Sequence, residues 1–240
     1  MKLSIVIPVF NEEKTLNTLV EKVVAVDISP DTTEIVVVND CSTDSTSQIL
    51  ESVGKKYKNI KVITHKKNQG KGAAVRTGMK EATGDYIVIQ DADLEYNPKD
   101  LKRLFALIQQ NKAKVVYGTR LKRWPNIHKE ESRPRFLIHY LGNRFLSLVT
   151  SILYGQWITD METCYKIFPK SFIDKTQIVG NGFNFEPEVT AKLIKARYKI
   201  VEVPIKTTPR GYEEGKKLQT IPEGIEALKT LLRYRFTDSK

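Results

Sequence analysis

The sequence has few cysteines and no hydrophobic run long enough to cross a bilayer. Among its 240 residues only Cys41 and Cys164 are cysteines, they form no Cys-x-x-Cys motif, and no Asn-x-Ser/Thr sequon occurs. Disulfide-stabilised secreted domains are therefore excluded, and we expect two free thiols in a reducing, cytoplasmic compartment. The most apolar window, residues 145–153, is interrupted by serine and threonine and is much shorter than the ~18 residues of a spanning helix.

Glycine and proline are also scarce, at 13 and 10 residues, and no low-complexity tract is present. Collagen-like and disordered chains are excluded, because 40% of the residues are hydrophobic and can build a core. No linker rich in glycine, proline or serine divides the chain. We therefore predict one domain, residues 1–240, with an elaborated carboxyl-terminal region.

Acidic residues are the minority, and the imbalance is uneven along the chain. Residues 1–120 contain 18 basic and 15 acidic side chains, whereas residues 121–240 contain 21 and 13. The excess in the second half predicts an anionic partner, such as a phosphorylated substrate, an acidic membrane surface or nucleic acid. The alternative interpretation is a solubilising surface charge.

Short runs rich in valine and isoleucine alternate with amphipathic helical patterns. This alternation predicts an α/β fold, with a mostly parallel sheet covered by helices on both faces. We expect strands at 2–7, 34–38, 60–64, 85–90 and 114–117, and helices at 14–26, 45–53, 71–82 and 100–110. The second half is predicted to contain helices at 135–153, 187–196 and 222–234 and strands at 164–168 and 200–205.

The segment GDYIVIQDADLEYNP contains the most informative polar residues. Asp91, Asp93 and Glu95 follow a buried strand at alternate positions, and ligands bind at the carboxyl ends of parallel strands. Neighbouring carboxylates repel each other unless a cation lies among them, and oxygen ligands suit Mg²⁺ or Mn²⁺. A turn or helix cap before Pro98 is the alternative.

Three other predicted strand ends supply polar residues. Glu12 in PVFNEEKTL begins a helix, and Asp40 in VVVNDCSTDST can accept hydrogen bonds from a base or ribose. In HKKNQGKGAAVRTG, glycines permit close approach of a ligand to the backbone, and Lys71 at a helix amino terminus can hold a phosphate. The spacing matches neither a P-loop nor a dinucleotide fingerprint.

These segments together resemble family 2 glycosyltransferases of the GT-A fold. The matching motifs are IVIPVFNEE, EIVVVNDCSTDST, NQGKGAAVRTGMKEATGDYIVIQDADLE and VVYGTR, and the resemblance continues through SRPRF, LGNRFLS, TDMETCYKIF, NGFNFEPEVTAK, YKIVEVPI and RGYEEGKK. It covers nearly the whole chain, and the most similar subgroup is the dolichyl-phosphate mannose synthase and polyprenyl-phosphate glycosyltransferase type. The resemblance implies a Rossmann-like GT-A sheet, a nucleotide-sugar half at 1–120 and an acceptor-side half at 121–240.

The resemblance also implies roles for individual residues of the donor half. The nucleotide sugar would contact Pro8, Phe10, Glu12, Asp40, Lys71, Gln90, Asp91 and Ala92, and the metal would contact Asp91, Asp93 and Glu95. Asn39 departs from the family pattern, which commonly has a second aspartate there.

In the acceptor half, the resemblance implies cationic and acidic groups near the reacting atoms. Arg120, Arg210 and Lys216 would neutralise phosphates, and Asp160 in TDMETCYK would face the reaction centre. A lipid phosphate is already largely dianionic at neutral pH, so Asp160 is expected to orient groups rather than act as a strong base. The candidates for holding the acceptor phosphate are Arg133 and Arg135.

The implied reaction is an inverting, metal-dependent transfer of a hexose from a nucleotide diphosphate sugar, of the GDP-mannose or UDP-glucose type, to a polyprenyl or dolichyl phosphate. The alternatives are transfer to a sugar hydroxyl of a glycan and a sugar nucleotidyltransferase reaction. Nucleic acid is not an expected partner, because the aromatic residues of the second half do not alternate with basic ones.

A lipid acceptor also implies contact with a membrane. We predict peripheral attachment to the cytoplasmic face through the helix at 135–153, with Phe136 and Tyr140 directed outward. The alternative is that this apolar face packs on the sheet, as amphipathic helices usually do.

Overall fold

The computed structural model describes residues 1–121, 134–182, 184–208 and 220–237; in the helices that begin at 134 and 220, side chains are described from residues 137 and 222 onward. The first half contains β1 (Lys2–Val9), α1 (Leu16–Val24), β2 (Thr32–Asn39), α2 (Thr46–Lys56), β3 (Ile60–Thr64), α3 (Lys71–Glu81), β4 (Tyr86–Ile89), α4 (Asp100–Gln109) and β5 (Val115–Thr119). The second contains α5 (Pro134–Tyr154), β6 (Lys166–Pro169), α6 (Lys170–Lys175), α7 (Phe185–Lys195), β7 (Ile200–Pro204) and α8 (Thr220–Phe236).

The described strands form one sheet of seven strands in the order β3-β2-β1-β4-β6-β5-β7. All pairings are parallel except those of β6, which runs antiparallel to both β4 and β5. The mostly parallel α/β prediction is therefore confirmed. The strand predicted at 164–168 begins later than expected, and the short helix α6 was not predicted.

The central strands are buried on both faces, which explains their continuous apolar sequence. In β1 every side chain from Leu3 to Val9 is buried, because helices cover both sides of the sheet. Gly78 allows α3 to approach this strand closely: a Cβ atom there would lie 2.4 Å from Cγ1 of Val6. The glycine is therefore required by packing between helix and sheet.

The strand order places a crevice beside β1. The chain proceeds from β1 to β2 and β3 on one side and then returns to β4 on the other side of β1. In open α/β sheets, ligands bind outside the carboxyl ends of the strands where the order reverses in this way. The register pairs Val6 with Ile89, so that β1 extends beyond β4 and Asp91 follows near Pro8.

None of the helices within the described ranges is both long enough and apolar enough to cross a membrane.

Candidate active site

A pocket of about 610 Å³ lies at the crevice between the carboxyl ends of β1 and β4. It brings together most of the predicted donor and metal residues, which come from separate strand ends: Pro8, Phe10, Glu12, Asp40, Lys71, Asp91, Ala92, Asp93, Glu95 and Arg120. The carboxyl ends of parallel strands meet at one edge of the sheet, so residues distant in sequence converge here.

The loops that leave three of these strands each contain a residue in the left-handed region. Asn11 after β1 has φ of 54°, and Cys41 after β2 and Leu94 after β4 both have φ of 62°. Such values are uncommon for residues other than glycine and cost free energy, especially for a bulky side chain such as leucine. At Leu94 the turn is supported by the backbone N–H of Glu95, which donates to Asp93 Oδ1 at 3.0 Å.

Asp40 organises the loop that leads into α3. Its carboxylate lies 2.7 Å from His65 Nδ1 and accepts the backbone N–H groups of Gln69 at 3.0 Å and Gly70 at 2.7 Å. Asp40 also lines the pocket, although it is buried. The residue predicted to contact a base or ribose thus also fixes the backbone before Lys71.

The amino terminus of α3 is covered by protein rather than open. The backbone N–H of Ala73 donates to the carbonyl of Asn181 at 3.2 Å. A Cβ atom on Gly72 would lie 2.5 Å from the carbonyl oxygen of Gly180, and one on Gly70 would lie 2.7 Å from that of Asn181. The close approach predicted at these glycines is therefore made by the 180–181 backbone.

The acidic edge of the pocket contains Asp91, Asp93 and Glu95. Lys71 Nζ lies 2.7 Å from Asp91 Oδ1. Burial opposes the charge of Lys71, but the neighbouring carboxylates, led by Asp91, outweigh it and raise the pKa of Lys71 well above its usual range. An ammonium ion thus lies against a carboxylate that was predicted to bind a metal.

These residues fit a hard divalent cation as donors, since all three are carboxylates on one pocket edge and Asp91 already carries a cationic partner. However, within the described ranges no three His, Cys, Asp or Glu side chains are grouped closely enough to hold a metal ion by themselves. Mg²⁺ and Mn²⁺ sites commonly use one or two carboxylates together with phosphate oxygens and water.

Arg120 and Asp160 form a bidentate pair. Nε and Nη2 of Arg120 each donate to Asp160 at 2.8 Å, and the backbone N–H of Arg120 donates at the same distance. Asp160 is 0% exposed and is not among the pocket-lining residues. Three donors of Arg120 therefore hold this carboxylate inside the protein, behind a residue that lines the pocket, and the expectation that Asp160 faces the reaction centre stays a prediction.

Gln90 is also 0% exposed and is not among the pocket-lining residues. Its backbone N–H donates to Val6 and so continues the pairing of β4 with β1, which keeps the residue within the sheet. The side-chain amide donates to the carbonyl of Asp91 at 2.9 Å and accepts the hydroxyl of Tyr165 at 2.6 Å. Gln90 thus supports the backbone of the acidic edge, and its contact with a nucleotide sugar stays a prediction.

Two pocket residues from the second half, Glu162 and Glu186, were not predicted. Glu186 is buried and pairs with the buried ammonium of Lys166. Burial raises the pKa of Glu162 to about 7, an effect that Lys166 opposes and Glu186 reinforces. The alternate spacing of Asp160 and Glu162 was an available signal, whereas Glu186 resembles an ordinary acidic residue in the first turn of a helix.

The remaining wall of the pocket is apolar and comes from α5 and α8. It includes Ile138, Phe145, Leu146, Ile225 and Leu228. Several apolar residues of α5 are at least 46% exposed and recur on one helical face: Ile138, Leu141, Phe145, Leu148 and Ile152.

The prediction that Tyr140 points outward is wrong, because this side chain is only 7% exposed. Other predicted residues cannot be placed: Arg133, Arg210 and Lys216 lie outside the described residues, as do the side chains of Arg135 and Phe136.

Comparison with known proteins gives a consistent result. The model of "Glycosyl transferase family 2" matches residues 4–175. An uncharacterized protein of Methanocaldococcus jannaschii is 28% identical over 244 residues, which covers 97% of this chain and 99% of the relative. A dolichol-phosphate mannosyltransferase of Pyrococcus furiosus is 30% identical over 241 residues, covering 98% and 64%. A dodecaprenyl-phosphate galacturonate synthase of Rhizobium johnstonii is 28% identical over 196 residues, covering 81% and 55%.

The chain thus spans less than two thirds of the two relatives that have a named activity. Among solved structures, glucosyl-3-phosphoglycerate synthase from Mycobacterium tuberculosis, in complex with Mn²⁺, UDP and glucosyl-3-phosphoglycerate, superposes with a TM-score of 0.72 at 17% identity, over 99% of this chain and 81% of that one. TarS residues 1–349 of S. aureus gives 0.57 at 20% identity, over 98% and 72%. These similarities concern the fold, and they confirm the GT-A prediction.

Proposed function

The chain belongs to glycosyl transferase family 2, and on that premise we propose that it transfers a hexose from a nucleotide diphosphate sugar to a polyprenyl or dolichyl phosphate with inversion. Residues 1–120 bind the donor in this proposal, and residues 121–240 bind the acceptor. The names of the Pyrococcus and Rhizobium relatives support a lipid phosphate acceptor.

One observation carries the proposal: the pocket has a polar floor and an apolar wall that continues onto the protein surface. Ile138 and Phe145 belong both to the pocket and to the exposed stripe on α5. From Ile138 to Ile152 the stripe extends about 21 Å along the helix, at about 1.5 Å per residue. A lipid phosphate requires this combination, with a charged site for its head and an apolar path for its tail.

The donor would occupy the edge formed by β1, β2 and β4. Phe10 offers an aromatic surface to a base, and Glu12 and Asp40 offer acceptors to a base or ribose. The Mycobacterium structure contains UDP and Mn²⁺, which supports a diphosphate and a divalent cation at the corresponding edge of this fold.

Asp91, Asp93 and Glu95 would hold Mg²⁺ or Mn²⁺. When bound, such a cation neutralises charge on the leaving diphosphate. Arg120 lines the pocket, and Asp160 holds its guanidinium at a fixed position beside the reacting groups. Asp160 therefore acts as a positioning residue in this proposal, while Arg210 and Lys216 are expected to add further positive charge.

The acceptor would attack from the side opposite the diphosphate. A phosphate oxygen of the lipid bonds to the anomeric carbon as the bond to the nucleoside diphosphate breaks, which inverts the configuration. No strong base is required, because the lipid phosphate is largely dianionic at neutral pH. Arg133 or Arg135 would hold this phosphate.

The exposed stripe on α5 also supports peripheral contact with a membrane. Exposed basic residues of α8 (Lys229, Arg233 and Arg235) complement anionic lipid head groups. An interfacial helix of this type buries its apolar face at the boundary between head groups and acyl chains.

Glu162 supports a second candidate acceptor, a sugar hydroxyl. Such an acceptor must lose a proton, and a carboxyl group whose pKa is about 7 is well matched to accept it near neutral pH. Glu162 lines the pocket, and its buried Oε1 atom has no hydrogen-bond partner within the described residues.

Transfer assays with radiolabelled UDP-glucose and GDP-mannose distinguish the two acceptors. The protein is incubated with Mn²⁺ and either a short water-soluble polyprenyl phosphate or soluble saccharides, and the anomeric configuration of the product is determined by NMR. We expect an inverted glycosyl phosphate. Labelled oligosaccharide with no lipid product would favour the hydroxyl acceptor, and retained configuration would contradict the mechanism.

A further inference from the structure

Four charged side chains alternate in sign from the pocket edge into the interior, in the order Asp91, Lys71, Glu186 and Lys166. Lys71 Nζ lies 2.7 Å from Asp91 Oδ1 and 3.9 Å from Glu186 Oε1. The other oxygen of Glu186 binds the ammonium of Lys166, which is fully buried. Lys71 thus lies between two carboxylates, within hydrogen-bond distance of Asp91 and beyond that distance from Glu186.

One carboxylate oxygen of Glu186 has no hydrogen-bond donor among the described residues. Glu186 is 4% exposed, and within the described part of the chain no hydrogen-bond donor reaches its Oε1 atom. A buried carboxylate oxygen without a donor is costly and requires an explanation. The ammonium of Lys71, 3.9 Å away, would need to move only about 1 Å to reach the usual length of a charge-assisted hydrogen bond.

We propose that Lys71 is a tethered cation that occupies the Asp91 carboxylate in the absence of a divalent cation and transfers to Glu186 when one binds. The inference rests on the metal role of Asp91 in the proposed function. A divalent cation and an ammonium ion repel each other and compete for the same oxygen, so binding of the first displaces the second.

Two consequences follow for residues that are not metal ligands. Before metal binds, Lys71 reduces the mutual repulsion of the acidic edge and prevents weak cations from binding there. After transfer, both oxygens of Glu186 accept from ammonium groups, and the buried oxygen gains its missing donor. Lys71 and Glu186 therefore set the affinity of the metal site as positioning residues.

Binding of Mn²⁺, measured by the EPR signal of the free aquated ion, tests the first step. Lys71→Met removes the competitor, so Mn²⁺ alone should bind about tenfold more tightly, equivalent to about 1.4 kcal/mol. Lys80→Met is the matched control, because it removes the same charge from an exposed position on the same helix. It should change the affinity less than twofold. An unchanged or weaker affinity in Lys71→Met would overturn the proposal.

The second step requires a variant that removes the negative charge of Glu186 without leaving Lys166 as an unpaired buried charge. Lys166→Met combined with Glu186→Gln meets this condition, and thermal melting establishes that it folds. Mn²⁺ should bind about tenfold more weakly, and adding Lys71→Met should abolish that loss, since no lysine then needs a new partner. A loss that persists without Lys71 would refute the transfer to Glu186.

These results are separate from a failure of the proposed function. Absence of sugar transfer leaves the Mn²⁺ binding cycle unaffected, whereas absence of Mn²⁺ binding in both native protein and Lys71→Met refutes the tethered-cation proposal. Undiminished transfer in excess chelator would refute the metal role itself.

Discussion

Residues 1–121 bury mainly apolar side chains and expose polar ones, whereas the described residues from 134 onward also bury charged side chains and expose large apolar ones. In the first half, Asp40 and His65 are the buried side chains that can carry charge, and they contact each other. The second half buries several charged residues (Asp160, Lys166, Glu186, Glu188 and Lys192) and exposes many large apolar ones (Ile138, Leu141, Phe145, Leu148, Ile152, Trp157, Val179, Ile225, Leu232 and Phe236).

The difference follows from what each half must do. A parallel sheet between helices is stable through apolar burial alone, and its polar ligands are needed only at the strand ends. The second half holds the 180–181 segment against the first half and, in the proposed function, presents a surface to an acceptor. The first task buries charged side chains, and the second exposes large apolar ones.

Glu188 shows how the buried charges fasten the structure. Its carboxylate accepts the ammonium of Lys192 at 2.7 Å, the hydroxyl of Tyr234 at 2.8 Å and the backbone N–H of Gly180 at 2.7 Å. It therefore links α7 and α8 to the 180–181 segment, which covers the amino terminus of α3. Charges in the second half thus determine the geometry around Lys71 in the first.

The largest expected difference between the halves concerns ion pairs. Lys166→Met leaves the buried Glu186 with only the more distant ammonium of Lys71, at 3.9 Å, and should lower the free energy of unfolding by about 3 kcal/mol. Lys61→Met breaks a half-exposed pair with Glu81 in the first half and should cost at most about 1 kcal/mol. Urea denaturation measures the free energy of unfolding of both variants. Equal losses would contradict the contrast between the two halves.

The next effect concerns activity at the polar edge of the first half. Asp93→Ala removes a metal ligand of the proposed site, and loss of several kcal/mol of charge stabilisation should lower kcat/KM by about 10²- to 10³-fold. The substitution also removes the hydrogen bond from the backbone N–H of Glu95, so the free energy of unfolding should fall by about 1 kcal/mol. Glu51→Gln, an exposed carboxylate on α2, is the control and should retain full turnover. Native turnover by Asp93→Ala would refute the metal assignment.

A smaller effect is a pH dependence of opposite sign in the two halves. Burial raises the pKa of Glu162 from 4.5 to about 7, so the folded state binds its proton more tightly. This residue therefore destabilises the fold progressively as pH rises from about 4.5 to 7. Lys166, Glu186, Arg120 and Asp160 are the charged groups that influence it. Glu162→Gln should stabilise the protein at pH 8 by about 1 to 3 kcal/mol and have little effect at pH 4.

Glu34 supplies the matched comparison in the first half. Burial alone would raise its pKa, but hydrogen bonds from Lys2, Ser4 and Thr83 lower it to about 2. Its stabilising contribution is present above pH 4.5 and is lost as pH falls toward 2. Glu34→Gln should therefore destabilise the protein at pH 7 and much less at pH 2, measured by denaturation across pH. If both substitutions changed the free energy of unfolding in the same direction at neutral pH, the opposite pKa shifts assigned to Glu162 and Glu34 would be contradicted.

The smallest effect on stability is expected at the exposed stripe on α5. Replacing Leu148 and Ile152 by Ser should change the free energy of unfolding by no more than about 0.5 kcal/mol each. Binding to anionic vesicles and activity on long-chain acceptors should fall by about 10²-fold or more, because burial of each of the two side chains in lipid is worth about 1.5 to 3 kcal/mol. Activity of this variant on a short water-soluble acceptor should be unchanged.

Gln48→Ser, an exposed neutral substitution on α2 in the first half, is the control for vesicle binding. Equal loss on short and long acceptors, together with a lower melting temperature, would show that the stripe supports the fold rather than contacting a membrane.

The sequence predicted the first half closely because its signals are local. An apolar run such as Ile60–Thr64 is a strand of the same bounds in the structure, and helix α3 begins at Lys71 as expected. The convergence of Glu12, Asp40 and Asp91 on one pocket follows from parallel topology, which places their strand ends at a common edge.

The second half could not be predicted to this depth, because its important contacts join residues that are distant in sequence. Asp160 was assigned to the reaction centre, but its depth depends on Arg120, forty positions away. Tyr140 was expected outside, since a helix that is apolar on several faces does not indicate which face meets the protein. The antiparallel insertion of β6 between β4 and β5 likewise depends on tertiary pairing.

By itself the sequence determined the alternation of strands and helices, the polar edge after each strand and the family, because these depend on local periodicity and on motifs. Only the tertiary structure decided that Lys71 lies between Asp91 and Glu186, and that the charges of the second half are buried while the stripe on α5 is exposed. The physical reason is that burial and ion pairing depend on which surfaces meet. That is a property of the packed chain and not of any segment within it.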